Sequence, residues 1–572
     1  MQDRKKIPYA QTNFEEIRTR NFIYVDKTRF IEQLENEEKP YHFFVRPRKF
    51  GKTLFLSVLE HYYDLRFADK FQKLFGDLYI GQHSTKSHND MFVLRFEFSG
   101  IDTSSIEKFD DSFKEVIRYA VVNFLIDHCD FIKNYEEYIK EVKSKDNVKA
   151  FVEIALTVIN ASGKKAYVII DEYDHFANDM IASGTYLGEK IYKKAVWAGS
   201  QVRDFYETLK ANSGNIIKKM FITGITPILL DDLTSGFNIS NNLSIKEEYN
   251  EILGFTKDEV ELIIKEYGID KSLINIDIEH FYDGYLFNED AKNKLYNSTM
   301  ILNYFHELKN SNGKIKDLID DNLKTDFGRL KRLINLSNNK EKIRELIDNK
   351  FVSAKIIPRF SIDTINDYDN FFSILFYIGL LTIDNSDPKR QRIKVPNYSV
   401  QTMFWEYIEL IEKENNPDLF FDNSKIISTL ETFAYDNDPK PFLDYFQQNI
   451  LGYLSNRDMQ NFNEKNIKVL LLGILFQSNL YLPISETENS VGYTDIYLQR
   501  RNLYPVDYEW VWELKYVKTK ESKKQDIIAQ KQNEAREQLQ AYKNSNLFKD
   551  RKDVRYLSIV FLGKKNYIIE EI

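Results

Sequence analysis

The sequence predicts an α/β protein, and three observations carry that reading. Between residues 41 and 240, short apolar runs at 41–45, 91–98, 166–170 and 220–224 alternate with stretches of helical period such as 106–127 and 147–160. The first run leads directly into Gly51-Lys52-Thr53 and then an amphipathic stretch bearing Leu54, Leu56, Leu59, Tyr62 and Tyr63. Near the other end, Trp510-Val511-Trp512-Glu513-Leu514-Lys515-Tyr516 has the composition of a strand that carries charge within an apolar frame. The alternation implies βαβ units and a mostly parallel sheet, with ligands at the carboxyl ends of its strands.

Residues 1–40 form a lead-in, with 22–28 a short strand and turn into a helix over 29–37. Arg46-Pro47-Arg48-Lys49-Phe50-Gly51-Lys52-Thr53 then sits between strand and helix, the setting of a P-loop. Backbone N–H groups and a helix N-terminus there surround a phosphate, Lys52 neutralises the β/γ oxygens, and the Thr53 hydroxyl meets Mg²⁺. Arg46 stands where the usual pattern starts with Gly. The strand at 166–170 ends in Asp171-Glu172, suited to hold the Mg²⁺ shell and to polarise an attacking water respectively. The plainer alternative is a core strand that surfaces into two solvated acids. Thr223, closing the strand at 220–224, either senses the γ-phosphate or is an internally satisfied strand-end Thr.

Residues 245–350 turn helical and charged, with Thr256 the N-cap of one helix. Residues 370–412 read as a helix followed by a hairpin, either a winged helix or a lid. The charged, Asn-rich stretch 412–424 is the linker candidate, which sets segments of 1–244, 245–424 and 425–572. Arg329 and Arg332 are the candidates for an arginine finger.

Downstream, 485–498 and 510–516 are expected to pair antiparallel and bring Asp495 beside Glu513. Lys515 shares a strand face with Glu513, because side chains alternate with period two. Two carboxylates and an amine at one spot suit metal-dependent phosphodiester cleavage: the acids hold a hard cation, and the lysine steers or deprotonates water. The bland alternative is a surface Glu–Lys pair. Gln538 and Tyr542 fall on one helix face, and 518–531 is a lysine-rich strip able to meet phosphates. Glu464, Glu486 and Glu488 are further acids, Glu464 also reading as a first-turn helix acid.

The chain has 572 residues, more than one hydrophobic core usually serves, so two to four domains are expected. A net charge of −8 offers no global basic field, so any nucleic-acid surface is local. The single cysteine, Cys129, excludes a disulfide framework and fits a reducing cytoplasm. The longest apolar run, 469–476, is too short to span a bilayer, so no membrane partner is expected.

These motifs resemble a bacterial family, AAA-ATPase-like proteins carrying a C-terminal PD-(D/E)XK nuclease-superfamily domain. The resemblance covers nearly the whole chain and rests on Tyr24-Val25-Asp26-Lys27-Thr28, the 46–53 segment, Asp171-Glu172-Tyr173-Asp174, Thr223-Gly224-Ile225, Gly254-Phe255-Thr256, residues 377–382, Val395-Pro396-Asn397, and Asp495 with Glu513-Leu514-Lys515. It implies an AAA-like parallel sheet, a helical or winged-helix-like middle region and a restriction-endonuclease-like core. ATP and Mg²⁺ are the implied cofactors, with Mn²⁺ also suited to the second site. Asp495 and Glu513 become metal ligands, Lys515 the catalytic lysine, and Gln538 and Tyr542 the supporting helix pair. Arg46 also matches the family's own loop. Tyr493-Thr494 departs from it, since relatives commonly carry a basic residue there. The expected activity is ATP-regulated DNA cleavage, in genome defence or mobile-element biology. The alternative is a nucleotide-dependent switch or adaptor that binds nucleic acid or protein without cutting. Homo-oligomeric rings are an expectation from AAA-type relatives.

Overall fold

The computed structural model describes residues 5–183, 186–197, 199–228, 239–319, 339–387, 389–405, 422–453, 463–476, 478–501 and 503–572. Contacts divide the chain into two compact units. One comprises Met1–Asp270, Ile278–His306 and Ile319–Asn397; the other comprises Lys271–Asp277, Glu307–Leu318 and Tyr398–Ile572. Most of the expected middle segment therefore packs with the N-terminal unit. The linker candidate lies outside the described residues up to position 421.

In the first unit, β1 (Tyr41–Val45), β2 (Met91–Glu97), β3 (Lys165–Asp171), β4 (Ile217–Gly224) and β5 (Asn241–Asn242) form a sheet in the order β2-β3-β4-β1-β5. Every pairing is parallel. Helices cover the sheet, so its strands are apolar at successive positions: Phe43, Phe44 and Val45 on β1 and Val168, Ile169 and Ile170 on β3 are buried. Pairing of Val45 with Gly224 and of Ile170 with Ile222 brings the carboxyl ends of β1, β4 and β3 to one edge. The loop after β1 and the acids after β3 therefore share that edge.

The helices Ile106–Asp127 and Val148–Ala161 lie where the sequence period places them. Thr256 caps Lys257–Tyr267 with a full capping box, its hydroxyl accepting from Glu259 N while Glu259 accepts from Thr256 N. The expected helix and hairpin are Tyr368–Tyr377 followed by β7 (Thr382–Asp384) and β8 (Arg392–Lys394). With β6 (Phe351–Val352) they make an antiparallel sheet in the order β6-β8-β7.

In the second unit, β9 (Tyr481–Asn489), β10 (Gly492–Arg500), β11 (Glu509–Val517), β12 (Val554–Leu562) and β13 (Asn566–Glu571) run in the order β13-β12-β11-β10-β9. Only β11 and β12 pair in parallel, and the helix Gln525–Lys543 makes the crossover between them. Leu539 and Tyr542 of that helix cluster with Tyr497, Val511, Phe548 and Tyr556. On the other face Phe433 packs against Trp510 and Trp512 with centroids 5.1 and 5.4 Å away. Among the described residues no helix is long and apolar enough to cross a membrane.

Candidate functional site

Gly51 starts the helix Lys52–Tyr63 at φ 98°, a left-handed conformation that costs glycine little. The carbonyls of the preceding loop are all engaged. Lys52 Nζ donates to Arg46 O and Pro47 O, each at 2.9 Å. Asn297 Nδ2 donates to Arg48 O, Thr299 to Lys49 O, and Gly254 N and Ser298 Oγ to Phe50 O. With its carbonyls tied down from outside, the loop is held open at a helix N-terminus, the geometry of an anion cradle. Burial pulls the Lys52 amine below its ordinary pKa, while Asp171, Asp174 and Glu172 work to keep it charged.

Asp171 ends β3 fully buried, with burial raising its carboxyl and Arg95, Lys52 and the Thr53 hydroxyl opposing that rise. Its Oδ1 accepts from Glu172 N at 3.0 Å, whereas Oδ2 has no hydrogen bond and lies 3.6 Å from Arg95 Nη2. A buried carboxylate oxygen left without a hydrogen bond beside a hydroxyl is a fit place for a hard cation. Glu172 takes φ 48° and turns to His175, whose Nδ1 is 3.2 Å from Glu172 Oε2. That contact holds the Glu172 carboxyl below its ordinary range and raises His175. Arg48, Lys49, Phe50, Gly51, Lys52, Thr53, Glu172 and His175 open onto a cavity of about 730 Å³. Lead-in residues Pro8–Thr12 and Ile23–Val25 form its other wall, giving room for a nucleoside triphosphate.

Two expected members of this site face elsewhere. Arg46 is buried beneath the loop, where its guanidinium donates to Val45 O, Ser244 O and Tyr249 O and lies between the rings of Phe44 and Phe287, 4.3 and 3.9 Å from their centroids. It braces the loop from beneath and does not line the cavity. Arg46→Lys is expected to lower the stability of this unit by about 3 kcal/mol in a denaturant melt, because an ammonium cannot reproduce the planar fork. Thr223 Oγ1 donates to Phe44 O at 2.6 Å, so the strand-end alternative is the one the structure displays. Nearby Asp174 accepts from Ile225 N, Thr226 N and Thr226 Oγ1, and Gly224 permits this because a Cβ there would stand 2.0 Å from Asp174 Oδ1. Sequence reasoning missed Arg95 and His175. Only the i+3 spacing of His175 from Glu172 hinted at the latter. Arg329 and Arg332 lie outside the described residues.

The second unit brings Asp495 and Glu513 together as expected. The antiparallel register pairs Ile496 with Trp512, so Asp495 stands across from Glu513, and Asp495 Oδ2 accepts from Leu514 N at 2.9 Å. Lys515 Nζ donates to Glu513 Oε1 at 2.6 Å and lies 3.9 Å from Glu464 Oε1. Glu464 opens the helix Glu464–Leu475, so a helix first-turn acid also faces the site. Lys468, one turn on, lies 3.5 Å from Asp495 Oδ1 and 3.1 Å from Glu486 Oε1. The sequence reading did not single out Lys468. The β9–β10 register places Glu486 across from Asp495 and Glu488 across from Tyr493. Gln538 lines a hollow of about 520 Å³ with Glu464, Lys515, Lys531, Glu534 and Glu537. Tyr542 sits deeper, its hydroxyl donating to Tyr493 O at 2.7 Å, its ionisation opposed first by burial and then by Glu513 and Asp495.

Burial, then the facing Asp495, push Glu513 up to about 7, against the pull of Lys515. Burial lowers Lys515, but Glu513 and Glu464 more than restore it and leave it raised. Burial likewise raises Glu464. Glu513 Oε2 is buried without a hydrogen-bond partner. Among the described residues no three of Asp, Glu, His and Cys converge closely enough to form a closed metal cage. Two facing carboxylates with one orphaned oxygen do fit Mg²⁺, which keeps several waters and takes few protein ligands.

Residues 8–234 match the family of predicted AAA-ATPases, and residues 462–571 match the PD-(D/E)XK nuclease superfamily. An uncharacterized protein from the vnfD 5′ region of Azotobacter chroococcum mcd 1 is 25% identical over 291 residues, 50% of each chain. The chain thus spans about half the length of that curated relative. A Walker-type ATPase of Pyrococcus abyssi is similar at TM-score 0.38 and 13% identity, over 69% of this chain and 97% of that one.

Proposed function

From an AAA-ATPase-like region joined in one chain to a PD-(D/E)XK nuclease-superfamily region, we propose a protein that binds and hydrolyses ATP and cuts DNA with a Mg²⁺-dependent nuclease site. The observation that supports cleavage most directly is the buried, unpartnered Glu513 Oε2 facing Asp495, with Lys515 Nζ 2.6 Å from the same carboxylate.

At the nucleotide site, Lys52, which now donates to two loop carbonyls, would turn to β/γ-phosphate oxygens, and Thr53 and Asp171 would hold Mg²⁺. Glu172, kept ionised by His175, accepts the proton of the attacking water. At the nuclease site, Asp495 and Glu513 would hold the divalent ion, Mg²⁺ or Mn²⁺, which when bound supplies Lewis-acid charge and a water of lowered pKa. Lys515 stays protonated beside Glu513 and meets the charge that develops on the phosphate. Gln538, on the rim of the same hollow, can position the strand.

The deciding experiment incubates the full chain with linear, circular and single-stranded DNA, Mg²⁺ or Mn²⁺, with and without ATP. Cleavage that Lys515→Ala removes supports the reading; no cleavage of any substrate removes it. The adaptor alternative gains from one observation: Lys468 and Lys515 already pair with both carboxylates. Nucleic-acid binding that persists with no cleavage under any metal would favour it.

The shift at Glu513 also makes a prediction about metal. Its pKa rises from 4.5 to about 7, so its share of stability is full below about 4.5 and is lost as pH climbs through about 7. A divalent ion held there would replace that proton and offset the loss. Millimolar Mg²⁺ is therefore expected to raise the melting temperature of the second unit by several degrees at about pH 8, less at about pH 6, and not at all in Glu513→Gln. Scanning calorimetry with and without EDTA checks it.

A further inference from the structure

The strand that carries Asp495 also presents an exposed aromatic that the proposed chemistry does not use. Tyr493 lies two residues before Asp495 on β10 and so shares its strand face, yet the residue is 59% exposed. The Tyr542 hydroxyl bond to Tyr493 O pins the backbone beneath that ring. Val491, 53% exposed, and Leu547, 39% exposed, lie on neighbouring segments, which Ser490 and Asn546 join by exchanging two hydrogen bonds. Beyond Lys515, at the end of β11, Lys518, Lys520 and Lys523 are exposed.

Resting on the nuclease reading of this site, the geometry points to single-stranded DNA as its substrate class, with one unpaired base stacked on Tyr493 and the backbone led past Lys515 toward Lys518, Lys520 and Lys523. A base inside a duplex keeps its faces against its neighbours and cannot lie on a fixed ring, whereas an unpaired base offers a free π-face next to the phosphate to be cut. Charge argues the same way. The hollow itself is not basic, with Glu464, Glu534 and Glu537 against Lys515 and Lys531, so the exposed lysines at the end of β11 are the cations left for phosphates there, a strip suited to one strand. The rigid seat of Tyr493 lowers the ordering cost of the stack.

Fluorescence anisotropy with the full chain tests this, using labelled single-stranded DNA, single-stranded RNA of the same sequence and a blunt duplex, in EDTA so that nothing is cut. Single-stranded DNA is expected to bind about tenfold more tightly than the duplex, and Tyr493→Ala to lose about tenfold, the scale of one stacked base. Tyr493→Trp is expected to retain wild-type affinity, and equal melting temperatures confirm folding. Unchanged binding in Tyr493→Ala, tighter binding of the duplex, or a tenfold preference for RNA overturns the inference. Cleavage that ignores Tyr493→Ala also overturns it while leaving the nuclease reading intact. Stack-dependent binding with no cleavage under any metal supports the aromatic seat and removes the nuclease reading instead.

Discussion

In Lys515→Ala, DNA cleavage in Mg²⁺ is expected to fall by at least about a hundredfold, or about 2.7 kcal/mol of transition-state stabilisation. The Lys515 side chain is only 8% exposed, and its amine lies between Glu513 and Glu464. The other lysine that reaches these acids, Lys468, is directed at Asp495 and Glu486, so it does not take over the position. Lys515→Arg is expected to fail as well, because a planar guanidinium needs more room than this buried slot provides. Removing the amine also leaves Glu513 facing Asp495 with less compensation, so some loss of stability is expected. Binding of uncut DNA in EDTA separates the two effects: a folded, DNA-binding variant that no longer cuts is the expected result. Cleavage within threefold of wild type would sink the assignment of Lys515.

The second large effect is expected in Lys52→Ala: ATP binding weakened beyond detection at micromolar protein and turnover lowered at least about a hundredfold. Lys52 is the buried amine that closes the loop by donating to Arg46 O and Pro47 O. Its loss leaves the cradle without its neutralising charge. Thr53→Ala is a useful contrast. It keeps Lys52 and the loop but removes the hydroxyl beside Asp171, so nucleotide should still bind while its Mg²⁺ dependence is lost. Isothermal titration with ATP, in Mg²⁺ and in EDTA, reads both. Single-strand DNA binding in EDTA should be unaffected by either change, since the residues proposed for it belong to the other unit.

Residue pattern sufficed where a local rule was enough. Continuous apolar runs marked β1, β3 and β4 because both sheet faces are covered. An N-cap Thr, Thr256, marked the start of Lys257–Tyr267. Alternation within β10 and β11 anticipated the face shared by Asp495, Glu513 and Lys515. Elsewhere the deciding partner was remote. Arg46 was read into the phosphate site, yet Ser244, Tyr249 and Phe287 claim it from some 200 residues away. Thr223 was drawn to the neighbouring strand's carbonyl. Arg95 could not be linked to Asp171 without the pairing of β2 with β3. The expected middle segment likewise dissolved into two units, because contacts rather than composition draw that boundary.

The order of residues alone determined which segments are strands and helices, that a phosphate-type loop follows the first strand, and that two acids and a lysine meet on one strand pair. These depend on periodicity and on neighbours a few positions apart. Tertiary structure decided which polar groups remain available for chemistry: Lys52, Glu172 and Lys515 line cavities, Asp171 and Glu513 each keep a carboxylate oxygen without a hydrogen bond, and Asp495 faces Glu513, while Arg46, Asp174 and Thr223 are consumed in holding the frame. The reason is that a polar side chain's role depends on which distant donors and acceptors surround it once water is excluded, and only folding brings those groups together.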